Sequence, residues 1–170
     1  GIGFNNNLEI EENFMEKMKK TKLIKNLKIY SNVPGKVTRS GWQTKITKVN
    51  FNRLTDWLST QASIFNLKKI KKINFDENLG IYSYLEDLDF SYKISKLGKL
   101  VVYSKSIYIT KNIISRNHLP FGIKELVNRY IFVTNNKLSK KYFLIGSFIL
   151  TFKNLAQIFL FDIKRFNRGL

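Results

Sequence analysis

An acidic segment, residues 74–97, limits the fold of this chain more than any other feature of its sequence. It holds five of the 12 acidic side chains of a chain whose net charge is +18. Carboxylates crowded in this way repel one another unless a cation, a helix N-terminus or a substrate hydroxyl compensates their charge. Phe90, Ile94 and Leu97 follow the period of a helix, and Gly98 is a stop signal. The segment therefore predicts a helix that begins with carboxylates.

The carboxylates at the start of this predicted helix, Glu86, Asp87 and Asp89, allow two interpretations. In the first they complement the helix dipole, and Asp89 forms a surface pair with Lys93 four residues later. In the second they belong to a catalytic site, because a carboxylate on a rigid helix start can act as a general base. Spacing alone favours the first interpretation, since acidic first turns are common in helices.

Motifs within residues 55–109 favour the second interpretation. Three of them occur in order, namely Trp57-Leu58-Ser59, Phe75-Asp76-Glu77 and Glu86-Asp87. This order resembles the acceptor-side half of family 2 glycosyltransferases, which have a WLSG-type loop, then an FDE motif, and then an ED pair that opens a helix. The resemblance implies an α/β fold of the GT-A type, with helices flanking a mixed sheet. Residues 1–136 would be the C-terminal part of such a domain, and residues 137–170 a helical extension.

The resemblance also implies an activity and its partners. The activity is inverting transfer of a sugar from a nucleotide-sugar donor to a glycan or lipid-linked acceptor, in bacterial-type synthesis of a surface polysaccharide or glycolipid. Such a transfer needs a base that takes the proton of the attacking hydroxyl. By resemblance Asp87 is this base, and Glu86 orients the acceptor or holds Asp87 in place. The implied substrate contacts are Trp57, Ser59, Thr60, Tyr82, Tyr84 and Arg129.

The position of the family's metal site departs from the family pattern. The family has a DxD motif there, which binds a divalent metal, Mg²⁺ or Mn²⁺, whereas this chain has Asn5 and Asn7 at the two metal positions. A neutral amide oxygen holds a divalent cation more weakly than a carboxylate does, and an ordinary polar turn explains these residues equally well. Thr60 stands where the family usually has Gly. Under the resemblance, either the metal-binding aspartates lie just upstream of Gly1, or the metal is bound weakly, or donor turnover is lost. A catalytically impaired binding or scaffold protein with the same fold is therefore an alternative.

Composition excludes several other kinds of site. The chain has no Cys and one His, so disulfides, thiolate catalysis and Cys- or His-rich metal sites are excluded. The net charge of +18 suggests a nucleic-acid-binding module. However, only six of the 30 basic residues are arginines, and the lysines are spread along the chain, which argues against such a surface. The one histidine, His118, is predicted to lie in a solvated loop.

Residues 142–161 form a mostly apolar segment. Their length is roughly that of a bilayer span, but Lys153 near the middle is costly inside a membrane. A helix lying in the membrane interface would keep Lys153 among the headgroups, and the flanking basic residues would suit an anionic surface. A buried helix within the protein explains the segment equally well. The expected location is cytoplasmic, and an interfacial helix would place the protein at the inner face of the cell membrane.

The remaining patterns predict further elements. β-branched and aromatic content predicts three strands, at residues 23–30, 62–65 and 100–110. Apolar spacing predicts an amphipathic helix over residues 123–131. It also predicts a core stripe of Leu67, Ile70 and Ile73, beside lysines on a solvated face. Residues 31–42, which contain a Pro-Gly turn signal, predict an irregular loop.

Overall fold

The computed structural model describes residues 1–6, 27–79, 85–109 and 118–156. Within these residues, one sheet contains four strands, which are β1 (Ile2–Asn6), β2 (Arg53–Thr55), β3 (Ser63–Ile64) and β4 (Leu100–Tyr108). Their order is β2-β4-β1-β3. The central pair, β1 and β4, is parallel, whereas β2 and β3 run antiparallel to their neighbours. The predicted mixed sheet is therefore confirmed.

Helices occupy much of the remaining described chain. They are α1 (Leu67–Ile70), α2 (Glu86–Ser95), α3 (His118–Asn135) and α4 (Lys140–Ala156). One buried cluster joins strand, loop and helix residues, which are Val49, Leu58, Ile70, Phe90, Ile94, Leu100 and Val102. The sheet and the helices thus share a core, and the predicted α/β class is confirmed.

Helix α2 begins where the acidic segment predicts. Leu85 precedes it in the left-handed conformation (φ 79°), and the first turn contains Glu86, Asp87 and Asp89. Negative side chains near the helix N-terminus interact favourably with the helix dipole. The helix ends at Ser95, shortly before the predicted stop signal.

Helices α3 and α4 enclose a second part of the core, where Phe132 of α3 and Phe143 of α4 are buried together. Gly146 of α4 packs directly against Trp42 and Ile29. A Cβ at position 146 would lie 2.7 Å from Trp42 Nε1 and 2.8 Å from Ile29 Cγ2. This close approach of α4 to the Trp42 indole therefore requires a glycine.

The amphipathic helix predicted over residues 123–131 is confirmed, and it is longer than predicted, His118–Asn135. The prediction that His118 lies in a loop is wrong, because His118 opens α3. Pro120 does not prevent this earlier start, since the first turn of a helix has no intrahelical use for the missing N–H. The apolar segment 142–161 is helical as far as Ala156, and its last five residues fall outside the described part of the chain.

No helix in residues 1–6, 27–79, 85–109 or 118–156 combines the length and the apolar character that crossing a membrane requires.

The predicted strand at residues 23–30 is wrong in its described part. Leu27 is helical and residues 28–30 form a turn, in which Lys28 has a φ of 51°. Ile29 and Tyr30 are buried against Trp42 rather than in the sheet. A short apolar run is compatible with either arrangement, because its pattern does not specify the partner it packs against.

The other two strands are confirmed with shorter bounds, Ser63–Ile64 and Leu100–Tyr108. The predicted stripe after β3 is partly wrong. Only Leu67–Ile70 is helical, and Leu67 is exposed although Ile70 is buried. The neighbouring lysines are exposed, as predicted; they are Lys68, Lys69, Lys71 and Lys72.

Candidate functional site

Asp87 lies at the start of α2 and is held by two hydroxyl groups. Ser59 Oγ donates a hydrogen bond to Asp87 Oδ2 at 3.2 Å, and Thr60 Oγ1 donates one to Asp87 Oδ1. The two hydroxyls come from the beginning of a short 3-10 turn, Thr60–Ala62. Three of the predicted site residues therefore meet, although 28 positions separate Ser59 from Asp87. Each carboxylate oxygen can accept a second hydrogen bond, which leaves Asp87 able to bind a substrate hydroxyl.

Ser91, one helical turn after Asp87, ties this loop to α2. Its buried hydroxyl accepts a hydrogen bond from the Leu58 N–H at 3.0 Å and donates one to the Asp87 carbonyl oxygen at 2.5 Å. The Ser91 hydroxyl thus positions the chain immediately before Ser59. Sequence reasoning missed Ser91. Its spacing of four residues from Asp87, which places both on one face of a helix, is the signal that could have found it.

The same loop is fixed at its start by Asp56 and Trp57. Asp56 Oδ2 accepts a hydrogen bond from the Val37 N–H at 2.9 Å. Trp57 Nε1 donates one to the Thr44 carbonyl oxygen at 3.0 Å. These bonds to a neighbouring loop fix the orientation of the Trp57 indole.

A surface pocket of about 170 Å³ opens beside the loop. Its walls include Phe4, Lys45, Trp57, Ser59 and Tyr108. Tyr108 ends β4, and Phe4 belongs to β1, which is parallel to it. The pocket therefore extends from the middle of β1 to the carboxyl end of β4, and the carboxyl ends of parallel strands are where open α/β sheets bind ligands. Ser59 connects the pocket to Asp87, and Lys45 adds a cation to its wall.

The other predicted site residues do not all reach this pocket. Glu86 lies in the first turn of α2 and is partly buried. Tyr82 and Tyr84 fall outside the described residues. Arg129 is 1% exposed, and its guanidinium donates to the Gly41 carbonyl oxygen at 2.7 Å. These contacts hold Arg129 in the core, and its substrate contact stays a prediction from the resemblance.

Asn5, one of the two predicted metal positions, uses its amide to hold the fold. The buried Nδ2 donates to the carbonyl oxygens of Val49 (2.8 Å) and Ser104 (3.1 Å), and Oδ1 accepts from the Val49 N–H at 2.9 Å. Asn7 lies outside the described residues. Among the residues that the structure describes, no group of three or more His, Cys, Asp or Glu could hold a metal ion. The Asn5 amide is committed to the backbone, and binding of Mg²⁺ or Mn²⁺ stays a prediction from the resemblance.

Replacing Asn5 by Asp is expected to lower the free energy of unfolding by about 2–3 kcal/mol. A carboxylate cannot donate to Val49 O and Ser104 O, and it would place a negative charge beside both. Denaturant-induced unfolding measures the change. The matched control is Asn52→Asp, because Asn52 bonds Ser104 through Oδ1 as an acceptor only. Unchanged stability of Asn5→Asp together with tighter Mg²⁺ binding would restore a metal role to Asn5.

Asp89 pairs with Lys93, as predicted, but only the lysine reaches the surface, with 31% of its side chain exposed. Asp89 is 1% exposed, its Oδ2 lies 2.5 Å from Lys93 Nζ, and its Oδ1 accepts a hydrogen bond from Asn136 Nδ2 at 2.8 Å. Lys96 Nζ donates to Asn136 Oδ1 at 3.2 Å. Desolvation lowers the pKa of the Lys96 amine, and the nearby Asp89 carboxylate opposes that shift. This network joins α2 to the end of α3, so Asp89 serves the fold.

No protein-family model matches the chain, and no curated protein or solved structure matches it either. The resemblance to family 2 glycosyltransferases therefore rests on the sequence motifs alone. A function for the site has to be inferred from its residues and their geometry.

Proposed function

We propose that this chain forms the acceptor side of a site that transfers a sugar from a nucleotide-sugar to an acceptor hydroxyl with inversion. Asp87 is the general base in this proposal. The observation that carries it is the placement of the Asp87 carboxylate. It sits on the first turn of a helix, is oriented by Ser59 and Thr60, and is linked through Ser59 to a pocket that reaches the carboxyl end of β4.

The proposed chemistry follows from this placement. The acceptor oxygen attacks the anomeric carbon of the donor, and its proton passes to an Asp87 oxygen as the new C–O bond forms. The bond from the anomeric carbon to the nucleotide phosphate breaks, and its electron pair leaves with the phosphate. Because attack and departure occur on opposite sides, the configuration at this carbon inverts. The fixed indole of Trp57 offers an apolar face for a sugar ring in the pocket.

The size of the pocket limits what this part of the chain can bind. A volume of about 170 Å³ accommodates a single sugar better than a whole nucleotide-sugar, since pockets for larger ligands are several times bigger. The described residues therefore fit the acceptor, or the sugar end of the donor. We assign the nucleotide to contacts outside this pocket.

The proposal includes a GT-A type of fold, in which residues 1–136 are the C-terminal part of the domain and residues 137–170 a helical extension. The order of the three motifs and a mixed sheet with a parallel central pair support it. The proposed substrates are a nucleotide-sugar and a glycan or lipid-linked acceptor, used on the cytoplasmic side in synthesis of a surface polysaccharide or glycolipid.

Tryptophan fluorescence provides a direct test of sugar binding. The chain has two tryptophans, and Trp57 lines the pocket whereas Trp42 is buried. In a Trp42→Phe variant, the emission comes from Trp57 alone. We expect saturable changes in this emission with one class of nucleotide-sugar or acceptor glycan, and none with the free nucleotide. A panel of nucleotide-sugars and glycans that leaves the emission unchanged would contradict the proposal.

A second candidate is a sugar-binding module without turnover. It is favoured by one observation, which is that each Asp87 oxygen already accepts a hydrogen bond from the protein. In that case the carboxylate would fasten α2 to the Thr60 turn instead of taking a proton. Saturable binding at Trp57 without nucleotide release from any donor by the full-length protein would select this candidate.

A further inference from the structure

Helix α4 carries an exposed apolar stripe. Leu144, Phe148 and Phe152 recur every four residues, so they lie along one side of the helix. All three side chains are more than half exposed, and Phe148 reaches 73%. The opposite side of α4 packs on the core through Phe143 and Gly146. The stripe is therefore separate from the surface that α4 uses to fold.

Helix α3 continues this stripe on its own exposed side. Ile123, Val127 and Tyr130 are exposed and follow a helical period. The Tyr130 ring centre lies 5.3 Å from Lys140 Nζ and 5.9 Å from the ring centre of Phe143, the residue before Leu144, so the end of the α3 stripe lies near the start of the α4 stripe. We call the six apolar residues together the apolar helix face. Six exposed apolar side chains on two adjacent helices form a larger patch than singly scattered ones, and such patches mark interaction sites.

The charged side chains where the two helices join are all cationic. Lys137, Lys140 and Lys141 are exposed where the two helices join. The sequence has no Asp or Glu anywhere in residues 126–161. Glu125 is the single carboxylate in residues 118–161; it is 24% exposed and pairs with Arg129. Cations therefore predominate beside the face, in a chain whose net charge is +18.

We propose that the apolar helix face binds an anionic lipid surface, with α4 lying in the plane of the membrane interface. The apolar side chains would enter the boundary of the acyl chains, and the three lysines would lie among the anionic headgroups. A helix of 17 residues presents a contact about 25 Å long in this orientation. The proposal does not depend on sugar transfer by the Asp87 site.

Charge favours lipid over a second copy of the chain as the occupant. In a symmetric dimer the face would meet its own copy. The lysines beside it would then find only Glu125 of the other chain, which already pairs with Arg129, because the sequence has no other carboxylate in residues 118–161. An anionic bilayer supplies both an apolar layer for the apolar side chains and negative charge for the lysines.

A site-specific probe tests the proposal, because the chain has no cysteine and one introduced thiol can be labelled alone. An environment-sensitive dye would be attached to Phe148→Cys. The matched control is Phe51→Cys, at a phenylalanine that is 64% exposed outside the face. With phosphatidylcholine vesicles that contain phosphatidylglycerol, we expect a blue shift at position 148 and none at position 51. Vesicles of phosphatidylcholine alone should leave both dyes nearly unchanged.

Two pairs of variants separate the apolar from the electrostatic contribution, with vesicle sedimentation as the measurement. Phe148→Ser should weaken binding to the anionic vesicles about tenfold, and Phe51→Ser should not. Lys140→Gln with Lys141→Gln should weaken it roughly tenfold at low salt, an effect that high salt removes. Lys68→Gln with Lys69→Gln removes the same charge from α1 and should leave binding nearly unchanged. These side chains are exposed, so thermal melting should confirm that all variants fold.

Three results would overturn the proposal. Equal blue shifts at positions 148 and 51 would mean that no particular face binds lipid. Equal losses from the two lysine pairs would mean that only the net charge matters. A shift at position 148 that appears without vesicles and grows with protein concentration would assign the face to a second copy of the chain.

Discussion

Replacing Asp87 by Asn in the full-length protein is expected to lower the rate of sugar transfer by about 10²- to 10⁴-fold, the usual contribution of a general base. The amide has nearly the same shape as the carboxylate but cannot take the acceptor proton. The Ser59 and Thr60 hydroxyls can each donate or accept, so both can still bond an amide at this position. Transfer rates and thermal melting of wild type and variant would be compared, and the melting temperature should change little.

A matched control for this variant is Glu77→Gln, which also converts a carboxylate to an amide. Glu77 is exposed and is not part of the pocket wall or of the hydrogen bonds around Asp87. We expect Glu77→Gln to transfer sugar at the wild-type rate. Undiminished transfer by Asp87→Asn would rule out Asp87 as the base. A fall in melting temperature that matches the loss of activity would make Asp87 a structural residue at the start of α2.

Replacing Arg129 by Met is expected to lower the free energy of unfolding by about 3–5 kcal/mol. The buried guanidinium stacks on the Trp42 ring at 4.0 Å and pairs with Glu125 at 2.9 Å. It also donates to Gly41 O, which lies 88 residues earlier in the chain. Met fills part of the volume, but it leaves the buried carbonyl oxygen without this donor and removes the Arg129 cation from Glu125. Denaturant unfolding, followed by circular dichroism, measures the change.

The matched control is Arg53→Met on strand β2. Arg53 lies over the Phe51 ring at 5.4 Å and is only partly buried, so we expect a change of less than about 0.5 kcal/mol. The prediction also separates the two roles considered for Arg129. A substrate contact would show as weaker sugar binding at unchanged stability, which would contradict the structural role.

The elements that the sequence predicted well have strong local patterns. In α2, a first turn of carboxylates precedes buried residues at helical spacing. In β4, a run of β-branched and aromatic residues forms the longest described strand. Periodicity is set by residues close in sequence, so it does not depend on which distant parts of the chain they contact. The wrong strand at residues 23–30 shows the limit, since a few apolar residues can be buried against helices as well as in a sheet.

The candidate site was also predicted only in part: its residue types could be predicted, but their contacts could not. The resemblance predicted Ser59, Thr60 and Asp87 as site residues, but only the fold shows that both hydroxyls bond the same carboxylate. Spacing could have placed Ser91 on the same helix face as Asp87. It could not show that Ser91 bonds Leu58, or that Arg129 points into the core, because those contacts join distant parts of the chain.

The sequence by itself therefore determined the α/β class, the acidic start of α2, the positive charge and the absence of cysteine chemistry. The tertiary structure decided which polar groups form hydrogen bonds within the fold and are not available to a ligand. Asn5 is the clearest case: its side chain suits a turn or a weak metal ligand, yet here it bonds the backbone of Val49 and Ser104. The physical reason is that a buried polar group needs hydrogen-bond partners, and these can come from any part of the chain that lies close in space. Spacing in the sequence does not show which residues lie close in space.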